Sequence, residues 1–200
     1  ATVEVEVTQE VEVEDEPETS VTATVQVGGE QLVGPGTLLV NRDIAPGTYA
    51  IQGEDLGYTR RLSCLDGTTD CVIAMIDMEG GGYVRVREGD KALKVGAYSG
   101  EAIITKVDTE AGAEPGVDEP GEQLTGPGIF LVGIDVTPGT YQVEGEDLGY
   151  TRRLSCLDGS SECVIAMIDM EGGGYVTVEE GDTALKVGAY SGEATVTKVE

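Results

Sequence analysis

The chain repeats itself, and that most constrains what it can fold into. Set against itself at an offset of 92 residues, the run Gly53 to Val84 recurs as Gly145 to Val176 with three changes. These are Thr68 to Ser160, Thr69 to Ser161 and Asp70 to Glu162. Gln31-Leu-Val-Gly-Pro-Gly36 returns as Gln123-Leu-Thr-Gly-Pro-Gly128, and Gly96 to Ala102 returns unchanged as Gly188 to Ala194. The 200 residues therefore read as two units rather than one domain. Module 1 covers 30–108 and module 2 covers 122–200. A Pro-, Gly- and acid-rich linker at 109–121 joins them. Turn and surface positions match as closely as apolar ones. Recent duplication accounts for this, and so does a surface that both copies present to a shared partner.

A unit of about 79 residues buries little surface, and such modules commonly add a covalent staple. Within each copy, short Val-, Thr- and Ile-bearing runs alternate with Asp-Gly, Glu-Gly and Ser-Gly turns. In module 1 the strands are expected at 37–40, 47–52, 58–64, 71–77, 83–87, 93–97 and 102–107. Spacing near ten residues suits a sandwich or a small barrel. The fold class is all-β: two tandem small β-sandwich or barrel modules, preceded by an extended N-terminal strand arm.

Cys64 and Cys71 bracket one loop, and Cys156 and Cys163 bracket its repeat. One pair per module in an extracellular setting predicts two local disulfides, each worth roughly 2–3 kcal/mol in the chain-entropy model. Four Cys at this spacing with no His lack a zinc pattern.

The segment Val40-Asn-Arg-Asp-Ile-Ala-Pro-Gly-Thr-Tyr49, then Arg61-Leu-Ser63 and Val72-Ile-Ala74, resembles a module of secreted actinobacterial surface proteins and lipoproteins. In that group a G-x-D-I-x-P-G-T-Y strand precedes R-L-S and I-I-A. The resemblance covers most of each copy, and it implies secretion and a β fold but no reaction. Gly57-Tyr58-Thr59 stands where the group has an aromatic-rich C-Y-W, and Tyr98 lies where it has a second Cys. The group's cysteine pairing therefore does not carry over. A chain opening at Ala1 without an initiator Met is expected to be one trimmed after a signal peptide. With no C-terminal sorting signal or lipid-anchor Cys in the sequence, the chain is expected to be held to a surface by association or not at all.

Residues 1–29 have no counterpart before module 2. Val3, Val5, Val7, Val11 and Val13 fall on one face of an extended chain, with Thr and Glu on the other. The alternation resumes from Val21 to Val27. An isolated amphipathic strand has no stability in water, because its backbone groups and Val face need a partner. Addition to a sheet of a neighbouring subunit meets that need, as does completion of the chain's own sheets. The arm carries a net charge of −8, module 1 −4 and module 2 −10. Like charges on facing strands repel, so part of the arm is expected beside module 1, where Arg85, Arg87 and Lys91 replace Thr177, Glu179 and Thr183.

The total charge of −26 argues against nucleic acid and against an anionic membrane as partners. With no His, no serine beside a base and cysteines assigned to disulfides, no catalytic residues are expected and the chain reads as no enzyme. No cofactor is expected unless calcium, for which Asp66, Asp70, Asp158 and Glu162 are the weak candidates, without EF-hand spacing. The four Tyr of each copy are candidates for stacking on surface polysaccharide, or for filling an aromatic-poor core. The expected protein is a secreted, cell-surface structural one. It would assemble with copies of itself into a filament or coat by N-terminal strand addition. The alternative is a monomeric carbohydrate- or ligand-binding tandem module.

Overall fold

The computed structural model describes residues 31–107 and 119–199. The N-terminal arm, with Val3, Val5, Val7, Val11 and Val13, and most of the linker lie outside the described residues. Module 1 has eight strands: β1 (Gln31–Val33), β2 (Gly36–Leu39), β3 (Gly47–Gly53), β4 (Leu56–Leu62), β5 (Val72–Asp77), β6 (Gly82–Val86), β7 (Ala92–Ala97) and β8 (Ala102–Val107). Module 2 repeats them as β9 (Gln123–Thr125), β10 (Gly128–Leu131), β11 (Gly139–Gly145), β12 (Leu148–Leu154), β13 (Val164–Asp169), β14 (Gly174–Val178), β15 (Ala184–Ala189) and β16 (Ala194–Lys198). All ladders between these strands are antiparallel, in two four-stranded sheets per module. One sheet of module 1 runs β1-β8-β3-β6 and the other β2-β7-β4-β5; module 2 has the same order in both.

Alternation along the strands makes each core. Tyr49 and Ile51 on β3, Val84 and Val86 on β6, and Leu93 and Val95 on β7 are buried, as their repeats are in module 2. The Asp-x-x-Pro-Gly-Thr-Tyr segment forms a corner. The Tyr49 hydroxyl donates to the Ala45 carbonyl at 2.7 Å, and the Asp43 carboxylate accepts from the Leu39 amide at 2.8 Å. Tyr141 and Asp135 repeat both bonds, to Thr137 and from Leu131, at 2.7 Å each. In this chain, then, the motif does structural work. Both expected disulfides are present, each spanning 5.1 Å between Cα atoms.

Two details differ from the sequence reading. The run expected at 37–40 forms strand only over Gly36–Leu39, and Val40 makes an isolated bridge to Ile44. The Gln-Leu-Val and Gln-Leu-Thr segments, for which no strand was expected, form β1 and β9. Three residues are too few for a period of two to show in sequence.

Candidate assembly interface

In module 1, β5 and β6 each form one edge of their sheets, with β2 and β1 at the opposite edges. A sandwich edge of this kind exposes unpaired backbone and the seam of the core. Here the disulfide loop of module 2 closes it. The Leu157 carbonyl accepts from the Arg85 amide of β6 at 3.2 Å. Gly159 sits so close to Ala74 and Ile76 of β5 that a Cβ would strike the Ile76 side chain. Leu157, Ile129, Leu131 and Leu154 belong to the same buried cluster as the core of module 1. At the neighbouring turn Gly80 has φ +76° and lies directly against the Pro127 backbone, so both its conformation and its space demand glycine.

A charge cluster fixes the seat. The Arg61 guanidinium, on β4, donates twice to the Asp90 carboxylate at 2.8 Å and once to the Asp158 carbonyl at 3.1 Å. Arg87 donates through Nε to Asp158 Oδ1 at 3.0 Å, and through Nη2 to Oδ2. Arg61, Asp90 and Asp158 are all buried. Two arginines thus match two aspartates, and the pairing offsets their desolvation.

A second polar contact lies alongside. The Tyr83 hydroxyl donates to Asp135 Oδ1 at 3.1 Å. Burial raises the Asp135 carboxyl to about 6, against the bonds from Leu131 and Tyr83 that favour its charged form. Burial and the facing Asp135 raise the Tyr83 hydroxyl in turn. The repeat partner Asp43 shifts the other way, because the guanidinium of Arg42 pairs with it where module 2 has Ile134. A carboxyl raised on folding contributes stability below its unfolded value of 3.8 that is lost as pH rises through about 6. Asp135 is therefore expected to cost about 3 kcal/mol at neutral pH. Denaturant stability measured at pH 4.5 and 7.5 should show a dependence that Asp135→Asn flattens. An unchanged pH profile would show that Asp135 does not carry it.

The joint is heterologous, so among the described residues the repeat leaves each half once more unused. Leu157 is 6% exposed and its counterpart Leu65 is 58% exposed. Tyr83 is 6% exposed and Tyr175 is 62% exposed. The edge of module 2, β13 and β14, shows Ile165, Met167 and Tyr175 at the surface. There Arg153 donates to Asp182 at 2.7 and 3.0 Å and to Glu179 at 3.1 Å. These bonds hold the guanidinium charged. Glu179 occupies the position of Arg87 and holds Arg153 itself.

The other sequence candidates fall as follows. Arg87 is spent on Asp158, while the Arg85 and Lys91 side chains are exposed. Asp66 folds back to accept from the Thr68 amide and hydroxyl at 2.9 and 2.8 Å. Those bonds hold its carboxyl below the usual range. Asp70 and Glu162 lie in exposed 3₁₀ turns. Ligand atoms of Cys64, Asp66 and Cys71 lie within 4.8 Å of one another, as do those of Cys156, Asp158 and Cys163. The cysteines of both groups are spent in disulfides, and the Asp158 carboxylate is held by arginine. Tyr49, Tyr83 and Tyr141 are buried, whereas Tyr58, Tyr98, Tyr175 and Tyr190 are exposed. Sequence reasoning missed Asp90 and Leu157, and it singled out Arg61 only within the Arg-Leu-Ser motif and as a neighbour of Arg60 able to bind acids, not as a seat for the other module. Arg61 within an otherwise alternating strand, facing inward with Thr59, was the available signal.

Fold and joint define a tandem, disulfide-bearing β-sandwich protein. Residues 122–189 match the family described as the Rv1352-like extracellular domain, which places the protein among secreted or extracellular ones. An uncharacterized protein of Mycobacterium tuberculosis is 63% identical over 27 residues, 14% of this chain and 22% of the relative. An uncharacterized protein of Mycobacterium bovis matches with the same identity and extent. The chain thus spans 22% of the length of these curated relatives. No solved structure matches. Among the described residues, no helix is long and apolar enough to cross a membrane.

Proposed function

We propose that this is a secreted, non-catalytic structural surface protein that joins head to tail into an extracellular filament or coat. In this reading the N-terminal arm adds a strand to a sheet edge of the neighbouring subunit. The observation that carries it is the spare half-joint at each end. Module 1 presents the loop Leu65-Asp66-Gly67 unseated, and module 2 presents an open β13–β14 edge of the kind that such a loop closes in module 1. A repeated heterologous contact that does not close on itself propagates. The half-buried Ala166 and Ile168 and the exposed Tyr175, whose repeats Ala74, Ile76 and Tyr83 are buried in the internal joint, gain by being covered, and the arm's Val face gains in the same way. Self-copies are then the partners, and no cofactor is required.

Negative-stain electron microscopy and sedimentation of the full chain, of a form lacking residues 1–14 and of Leu65→Asp test this. Polymers of the full chain are expected, shortened or lost in both variants. Discrete particles in all three samples would sink the assembly reading. A second reading, a ligand-binding tandem module, is favoured by the exposed Tyr98 and Tyr190, whose rings lie over Gly57 and Gly149. It predicts a monomer that keeps its ligand without residues 1–14.

A further inference from the structure

Docking of module 2 on module 1 encloses a cleft of about 600 Å³. Its walls include Tyr58 and Met75 from module 1 and Tyr150, Arg152, Met167 and Lys186 from module 2. Arg152 on β12 and Lys186 on β15 stand directly opposite each other in the ladder. Like charges so placed repel, and burial strengthens the repulsion. The Arg152 guanidinium stacks on the Tyr150 ring, 4.3 Å from its centre. Its Nε is buried and has no hydrogen-bond partner among the described residues. The Lys186 side chain is largely buried and reaches the Asp77 carbonyl at 3.3 Å, with the carboxylate at 3.8 Å. Burial lowers its pKa, Asp77 opposes this, and the neighbouring Arg152 adds to it. In a chain of net charge −26, the joint has thus set two cations beside Asp77, with Glu79 also acting on Lys186.

The same residues show that the joint makes this site. In module 1 the repeat pair Arg60 and Lys94 is also directly opposed, but Lys94 is exposed to water, which screens it. Among the described residues, it is between the modules that such a pair is set into an apolar cleft. An incoming carboxylate would accept the orphaned Nε–H together with another guanidinium N–H, in the paired manner that arginine offers to planar anions, and would neutralise the repulsion with Lys186. The tyrosine and methionine walls fit a flat or aliphatic body rather than a bare ion. The geometry points to this intermodule cleft as a binding site for a carboxylate ligand with an apolar or flat body. The site does not depend on head-to-tail assembly, since one chain forms it.

Two sources share that chemistry, an acidic sugar and a fatty acid. Titrating the full chain by calorimetry with glucuronate, octanoate, glucose and 1-octanol separates them. One of the two acids is expected to bind saturably, at least tenfold more tightly than its uncharged counterpart. Arg152→Gln and Lys186→Gln should each weaken that acid tenfold or more, and Arg60→Gln should not. On the unaltered protein, the Arg152 Nε–H resonance should shift during the titration. Absence of saturable binding by both acids overturns the site. So does equal binding of the uncharged counterpart, an unmoved Arg152 resonance, or a loss in Arg60→Gln as large as in Arg152→Gln.

Discussion

Asp158→Ala is expected to destabilise the chain by about 1–3 kcal/mol, the cost of removing a buried carboxylate that bonds charged partners. Asp158 supplies its carbonyl to Arg61 and its carboxylate to Arg61 and Arg87. Truncation leaves Arg61 buried with Asp90 alone to neutralise it. It also releases Arg87, the one member of the cluster that reaches solvent. The repeat provides its own control. Asp66 occupies the matching position in an identical Cys-Leu-Asp-Gly loop, yet it is exposed and bonds only within that loop. Asp66→Ala is expected to leave the unfolding midpoint nearly unchanged. Denaturant melts of both variants decide the matter, and equal midpoints would mean that the Asp158 carboxylate contributes nothing to stability. The loss should concentrate in the contact between modules. Amide exchange at Arg85, whose N–H is held by Leu157, should therefore quicken before exchange in the β7 core.

Glu179→Arg is expected to strengthen head-to-tail association by on the order of 10–100-fold, about 1.4–2.8 kcal/mol. In the internal joint, the incoming Asp158 meets Arg61 and Arg87. At the spare edge an incoming Asp66 would meet Arg153, already held by Asp182 and Glu179. Three carboxylates would then share one guanidinium. Arginine at position 179 restores the two-to-two balance of the internal cluster, and it frees Arg153 from Glu179. The native joint between chains should accordingly be weaker than the one within a chain, and more sensitive to salt. Sedimentation at several protein concentrations reads the change. A gain that persisted in a Glu179→Arg, Asp66→Arg double variant would show that another surface associates, and an unchanged association constant would remove Glu179 from the interface.

Much of the fold was legible because it is local. The cysteine pairs span seven residues of sequence, and their connectivity within each copy was readable from that spacing. Strands β3 to β8 lay close to where turn residues and alternating apolar positions put them. The three-residue strands β1 and β9 escaped, since pairing with β8 and β16 makes them strands and pairing is not written locally. Arg85, Arg87 and Lys91 stood out as a difference between the copies, and part of the acidic arm is expected beside them, an expectation that falls on residues outside those described. That Arg87 grips a loop of the same chain, 71 residues away in sequence, was not readable from that difference.

The sequence by itself determined two copies of one β module, its turns, its disulfides and its acidic surface. Only the tertiary structure decided that the copies are unequal. Leu65 and Leu157, Asp66 and Asp158, and Tyr83 and Tyr175 sit in identical local sequence, yet one of each pair is buried and the other open to water. Local propensity acts alike on identical segments. Burial depends on what packs across from them, and a heterologous joint made once in a two-unit chain leaves one loop and one edge without that neighbour.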